Sequence, residues 1–174
     1  MERNNQVINS LHDLLDYDAS NFIAAEAHLE QNMRGWIEKA TSVQLKTVLH
    51  KYQEFIKQHE QKMNAFYEDE KIYSVSVDNQ VMKAFISETN TKISNCQDPE
   101  ILDACLLACV QSINHYKISA YGTAAAFAFL LEMDSHGKIF RQAEIEEKQI
   151  DDRLSQLAEH EINAKAKRPT ILNG

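Results

Sequence analysis

Proline occurs twice and glycine four times in this chain of 174 residues. An all-β sandwich or barrel needs a turn-former roughly every 8–12 residues, so that class is excluded, as are collagen-like and low-complexity chains. Cysteine is scarce and odd in number, with three residues and no Cys-x-x-Cys pair, which argues against a disulfide framework. Cys105 and Cys109 share a helix face with Leu102, Leu106 and Val110 and read as small buried hydrophobes. Long apolar runs are missing too. Ala124 to Leu131 is far too short to span a bilayer, and no basic segment precedes an apolar one at the start. The expectation is a cytoplasmic protein without a membrane partner.

Clustered positive charge is also lacking. The chain carries 26 acidic and 18 basic residues, a formal net charge of −8, and the bases are interspersed among the acids. Phosphate-backbone binding needs grouped Lys and Arg, so no nucleic-acid partner is expected. The exception, Lys165, Lys167 and Arg168, reads as solvation of a fraying helix end. No Gly-rich phosphate loop, no Gly-x-Ser-x-Gly and no nucleophile–base pair is present.

What the chain does have is apolar residues at helical spacing almost throughout. Ile8, Leu11, Leu15, Phe22, Ala25, Leu29, Met33 and Trp36 predict one long helix from about Asn4 to Ala40. Thr41 or Ser42 can cap a second, whose stripe is Leu45, Val48, Leu49, Tyr52, Ile56, His59, Met63 and Phe66. The connection is so short that these two helices must pack antiparallel. Periodicity breaks at Tyr73–Val77, which alternates but has no strand partner elsewhere and reads as an extended crossover. A shorter helix follows, with Val81, Phe85, Ile86 and Ile93 on one face.

Asp98-Pro99-Glu100 is the clearest helix start: an N-cap acid, Pro at the first helical position and an acid at the positive end of the dipole. That helix is expected to run to about Met133. Asp134–Gly137 reads as a turn, with Ser135 capping a last helix to about Ala166. Its stripe is Ile139, Phe140, Ala143, Ile150, Leu154, Leu157 and Ile162, with Glu147 lying on it. Two helical hairpins joined by a long crossover make an all-α four-helix bundle of the ferritin-like kind, one domain over residues 1–166 with a tail at 167–174.

In a bundle, a cofactor site is built from polar side chains pointing inward from facing helices. Glu26, Asn114, Lys117 and Glu147 occupy such positions on three helices. Each alone is more simply read as snorkelling to the bundle edge; together they make a shared site an even alternative. A di-iron site takes a Glu from each of two helices and Glu-x-x-His from each of the others. None of the seven histidines has a Glu three residues before it; those places hold Asn9, Ala25, Thr47, Ile56, Ser112, Met133 and Leu157. His59 reads as a satisfied core histidine, and Glu144, Glu147 and Asp151 as acids of a charged helix. Tyr52, Tyr116 and Tyr121 could line a small-molecule pocket but read more simply as core aromatics with bonded hydroxyls.

The run His115-Tyr116-Lys117-Ile118-Ser119-Ala120-Tyr121-Gly122-Thr123 resembles the His-Tyr-Glu-Ile-Ala-Ala-Tyr-Gly-Thr signature of the YciE/YciF-like ferritin-like family. Ala25-Glu26, Ala40-Thr41-Ser42 with Leu45, Asp98-Pro99 with Asp103-Ala104, and Glu146-Glu147-Lys148 agree as well, over roughly residues 8–160. The resemblance implies a bacterial stress-associated di-metal carboxylate bundle that forms dimers. Glu26 and Glu147 match its acidic positions, whereas Asn114 and Lys117 stand where the family pattern carries Glu. Two divalent metals bring four positive charges; Glu26 and Glu147 supply two negative ones, and Lys117 cancels one of those. The expectation is therefore a non-catalytic protein without a cofactor, in which the Lys117 ammonium fills the former metal space between Glu26 and Glu147. The competing expectation is an iron- or manganese-binding oxidase or iron-handling protein using Glu26, His59, Glu147 and Asp151.

Overall fold

A computed structural model describes residues 7–70 and 78–167. All regular elements among them are helical: α1 (Leu11–Lys39), α2 (Val43–Glu70), α3 (Gln80–Asn95), α4 (Pro99–Leu130), α5 (Asp134–Leu157), a π-helical turn (Ala158–Ile162) and α6 (Asn163–Ala166). The expected crossover at Tyr73–Val77 lies outside the described residues. Helix α1 packs on α2, α4 on α5, α2 on α5 and α1 on α4, closing a four-helix bundle. The shorter α3 lies against α1 and α4.

The helix ends show why the chain breaks where it does. Helix α1 begins at Leu11 rather than near Asn4, because Ser10 accepts a hydrogen bond from the Asp13 amide and Asp13 accepts one back from the Asn9 amide. Val7 and Ile8 are consequently outside the helix and exposed, so Ile8 is not part of the buried stripe. At the first turn Ser42 Oγ accepts from the Leu45 amide. The Thr41 hydroxyl instead donates to Asp103 of α4, which also accepts from the Thr41 and Ser42 amides at 2.8 and 2.7 Å. One carboxylate thus ties the α1–α2 turn to α4. Asp98 caps α4 as expected, accepting from the Glu100 and Ile101 amides.

The second turn differs from expectation. It falls at Leu131–Met133, with Glu132 in the left-handed region at φ 60°, and Asp134–Gly137 is already helical. Ser135 makes no capping bond; Met133 holds the cap position without one. Gly137 is needed for close packing and not for a turn: a Cβ there would lie 2.7 Å from the Phe129 ring. The last helix also does not run unbroken to Ala166, since its ladder widens to a π turn at Ala158–Ile162.

Two apolar layers fill the bundle. One gathers Leu29, Met33, Trp36, Leu45, Leu49, Ile56, Val110, Ile113, Ile150 and Leu154. The other gathers Leu15, Phe22, Met63, Phe66, Tyr121, Ala124, Ala128 and Phe140. Burying each large side chain is worth about 1.5–3 kcal/mol, so both layers contribute heavily to holding the helices together. Along every long helix the change from one layer to the other is marked by polar residues: Glu26 on α1, His59 on α2, Asn114 and Lys117 on α4, and Glu147 on α5.

Candidate functional site

Those five side chains converge at the middle of the bundle, each at most 2% exposed. Lys117 is central. Its Nζ lies 2.8 Å from Glu26 Oε2 and 2.6 Å from Glu147 Oε1. Both contacts are ion pairs by distance rather than aligned hydrogen bonds. Nζ also sits 4.8 Å from the centre of the Tyr52 ring, within cation–π range. Each acid has further donors. Tyr121 donates its hydroxyl to Glu26 Oε1, and Tyr52 donates to Glu147 Oε2 at 2.7 Å. Asn114 Nδ2 donates to the Glu147 carbonyl at 3.0 Å and to Glu147 Oε2 at 2.7 Å. Both are acceptors, so the amide must present its nitrogen to them.

His59 completes the cage from α2. Nδ1 lies 3.6 Å from Glu26 Oε1 and 3.4 Å from Glu147 Oε1, and Nε2 lies 2.8 Å from Glu146 Oε2. Lys62 approaches Glu146 at 3.6 Å on the outer side. Glu26, Glu146 and Glu147 therefore face Lys117, His59 and Lys62, three charges against three.

The electrostatics follow from that balance. Burial opposes charging the His59 ring, but bonds to Glu146, Glu147 and Glu26 outweigh it and raise its pKa from 6.5 to about 10. Bonding to His59 is the main reason that Glu146 falls from 4.5 to about 2. Burial likewise opposes ionisation of Glu26, yet Lys117 and His59 hold its carboxyl below the ordinary range. The Lys117 ammonium, although buried, is held above its ordinary value by Glu147 and Glu26. Burial and the adjacent carboxylates push the Tyr52 and Tyr121 hydroxyls well up, so both are neutral donors.

Of the residues singled out in the sequence, Glu26, Asn114, Lys117, Glu147 and His59 are brought together. Asp151 is not: it faces outward and pairs with the exposed His115, 2.8 Å from its Nε2. Glu26 is fully inside rather than on the edge of its stripe. Tyr52 and Tyr121 belong to the cage, while Tyr116 packs on Phe85 and accepts from Asn79 at 3.3 Å. Glu146 was not singled out, because its neighbour Glu147 occupies the stripe position. Its signals were membership of an acidic pair next to that stripe and of the Glu146-Glu147-Lys148 run that agrees with the family pattern. Taken by distance alone, ligand atoms of Glu26, His59 and Glu147 lie within 4.8 Å of one another, a spacing that could hold a metal ion.

Residues 10–167 match the family described as Domain of unknown function (DUF892). The chain belongs to it. This DUF892 chain is 36% identical over 85 residues to Protein YciF of Escherichia coli strain K12, a stretch covering 49% of this chain and 51% of that protein. The match thus spans about half the length of that curated relative. The crystal structure of the E. coli stress protein YciF superposes with a TM-score of 0.79 at 24% identity, covering 92% of this chain and 100% of that one. YcfI of Rhodopseudomonas palustris, described as a candidate structural protein, superposes at 0.80 and 23% identity, covering 89% of this chain and 98% of that one. At such identity these two structures speak for the fold alone, and together the matches place the DUF892 chain in a YciE/YciF-like family of all-α bundles. Among the described residues no helix is long and apolar enough to cross a membrane.

Proposed function

We propose that this chain is a non-catalytic, stress-associated ferritin-like bundle protein of the YciF type, in which Lys117 takes the place that metal would fill. The observation that carries the reading is the Lys117 ammonium lying between Glu26 and Glu147 at 2.8 and 2.6 Å. A pair of divalent cations does not fit this donor set. The two central carboxylates already share one internal cation, and Asn114 turns its amide hydrogens, not a ligand oxygen, toward Glu147. A cation brought to Glu26, His59 and Glu147 would meet that ammonium in a site shielded from water, where like charges repel far more than in solvent. In this reading the work of the protein falls to its outer surface. The reading includes a cytoplasmic single domain over residues 1–166, a tail at 167–174, and assembly with a second copy of the chain.

The test is metal content after aerobic incubation with iron(II) or manganese(II), followed by desalting. Substoichiometric metal, unchanged in Glu147→Ala, supports the reading. Stoichiometric binding lost in Glu147→Ala favours the second reading, an iron- or manganese-binding protein with a reduced carboxylate/His site, which rests on the spacing of Glu26, His59 and Glu147. Sedimentation velocity on the same sample tests the paired state.

A further inference from the structure

Helix α4 is nearly uncharged around its whole circumference. Between Glu100 and Glu132 its only formally charged residues are Asp103 and Lys117, and both are buried. A helix without a charged face is ordinarily covered on every side. Here α1, α3 and α5 pack against it, yet one long strip stays open to solvent. Ala108, Ser112, Ser119 and Thr123 form the middle of the strip, all exposed, and Ile101 and Leu130 form its ends, 44% and 75% exposed. At the 3.6-residue period these positions share one face of the helix.

The strip reads nearly the same in both directions. About a midpoint between His115 and Tyr116, Ser112 corresponds to Ser119, Ala108 to Thr123 and Ile101 to Leu130. A second copy turned about a two-fold axis through that midpoint, perpendicular to α4, lays a large apolar side chain on another at both ends. Between them small residues meet small residues, which lets the two helices approach closely. The same patch then serves both partners, as a two-fold interface requires.

Charge favours the same register. Each chain carries a formal −8, so two copies repel one another except where surface charge is missing or matched. Beside the strip α5 runs antiparallel to α4, with Gln111 bonded to Ser155, His115 to Asp151, and Gly122 against Glu144. The midpoint of the strip is therefore level with Ile150 and Asp151. Lys148 and Asp152 are exposed on either side of that level, and Lys148 lies toward α4, where it bonds Glu144. The two-fold axis brings Lys148 of each copy opposite Asp152 of the other. We propose that the outer face of α4 is the surface on which a second copy of this chain docks, antiparallel, about an axis at His115 and Tyr116. This docking rests on the paired state of the proposed function and supplies its surface.

The test is sedimentation velocity on the full chain over a concentration series, with thermal melts to confirm that each variant is folded. The parent should sediment as a dimer. Ser119→Glu should weaken dimerisation roughly tenfold or more, because it brings unmatched charge into contact near the axis. Adding Ser112→Lys to it should restore pairing, since Ser112 of one copy meets Ser119 of the other. Leu130→Glu should weaken the dimer likewise, and combining it with Ile101→Lys should recover it. Thr47→Glu, exposed on α2, should change nothing. A dimer indifferent to Ser119→Glu and Leu130→Glu overturns this surface and leaves the paired state standing. Weakening that neither second substitution rescues overturns the antiparallel register. A parent that stays monomeric overturns the surface and the paired state together, while the metal-free reading of the cage is judged separately by metal content.

Discussion

Lys117 Nζ and Glu147 Oε1 are 2.6 Å apart at the centre of the bundle, where neither side chain is more than 3% exposed. Removing the ammonium alone leaves the Glu26 and Glu147 carboxylates in a dry site to share the single charge of His59. Lys117→Ala is therefore expected to lose about 3–5 kcal/mol of stability, the usual cost of breaking a buried pair by deleting one partner. Chemical denaturation of both proteins checks it. Combining Lys117→Met with Glu26→Gln and Glu147→Gln removes all three charges and should recover most of the loss, which a simple packing defect would not allow.

The pH dependence has two limbs. His59 is raised from 6.5 to about 10 in the fold, so the stability it confers is complete below pH 6.5 and is lost as pH climbs through 10. Glu146 is lowered from 4.5 to about 2, so its share is complete above pH 4.5 and is lost as pH falls through 2. The melting temperature should plateau between those limits, near pH 4.5–6.5, and decline on the alkaline side well before ordinary lysines titrate. His59→Gln is expected to flatten that alkaline decline, as read by thermal melts from pH 5 to 10.

How far the sequence anticipated all this depends on the kind of signal. The four long helices were legible because Leu45, Leu49, Tyr52 and Ile56, and their equivalents, repeat at 3.6-residue spacing. Glu26, Lys117 and Glu147 stood out as charges on or beside apolar stripes. His59 was legible as buried, but its satisfaction by three carboxylates from two other helices is tertiary and leaves no local trace. Asp151 misled because a residue four after Glu147 shares its face while reaching a full turn away, where His115 takes it. The second turn was misplaced because Gly137 and Asp134 are ordinary turn-formers, whereas Gly137 lies inside a helix and its small size serves close packing against the Phe129 ring.

The phenols differ from the charged members in being replaceable. Tyr52→Phe and Tyr121→Phe each remove one donor from a buried carboxylate and should cost about 1–3 kcal/mol, less than Lys117→Ala. Equilibrium unfolding of the three variants ranks them. A Tyr52→Phe protein less stable than Lys117→Ala would mean that hydrogen bonding, not charge pairing, dominates the cage.

Asp103 offers a control at the far end of α4. It accepts three hydrogen bonds from Thr41 and Ser42, so Asp103→Ala should expose those two amides and destabilise the α1–α2 turn by about 2 kcal/mol. Amide hydrogen exchange should show faster exchange at Thr41 and Ser42 while the Glu147 amide stays protected.

The most direct measurement is anomalous diffraction, at the iron or manganese edge, from crystals grown with that metal. The account expects no anomalous peak at the bundle centre and clear density for the Lys117 amine between Glu26 and Glu147. A peak ligated by Glu26, His59 and Glu147, with the amine turned away, would contradict it.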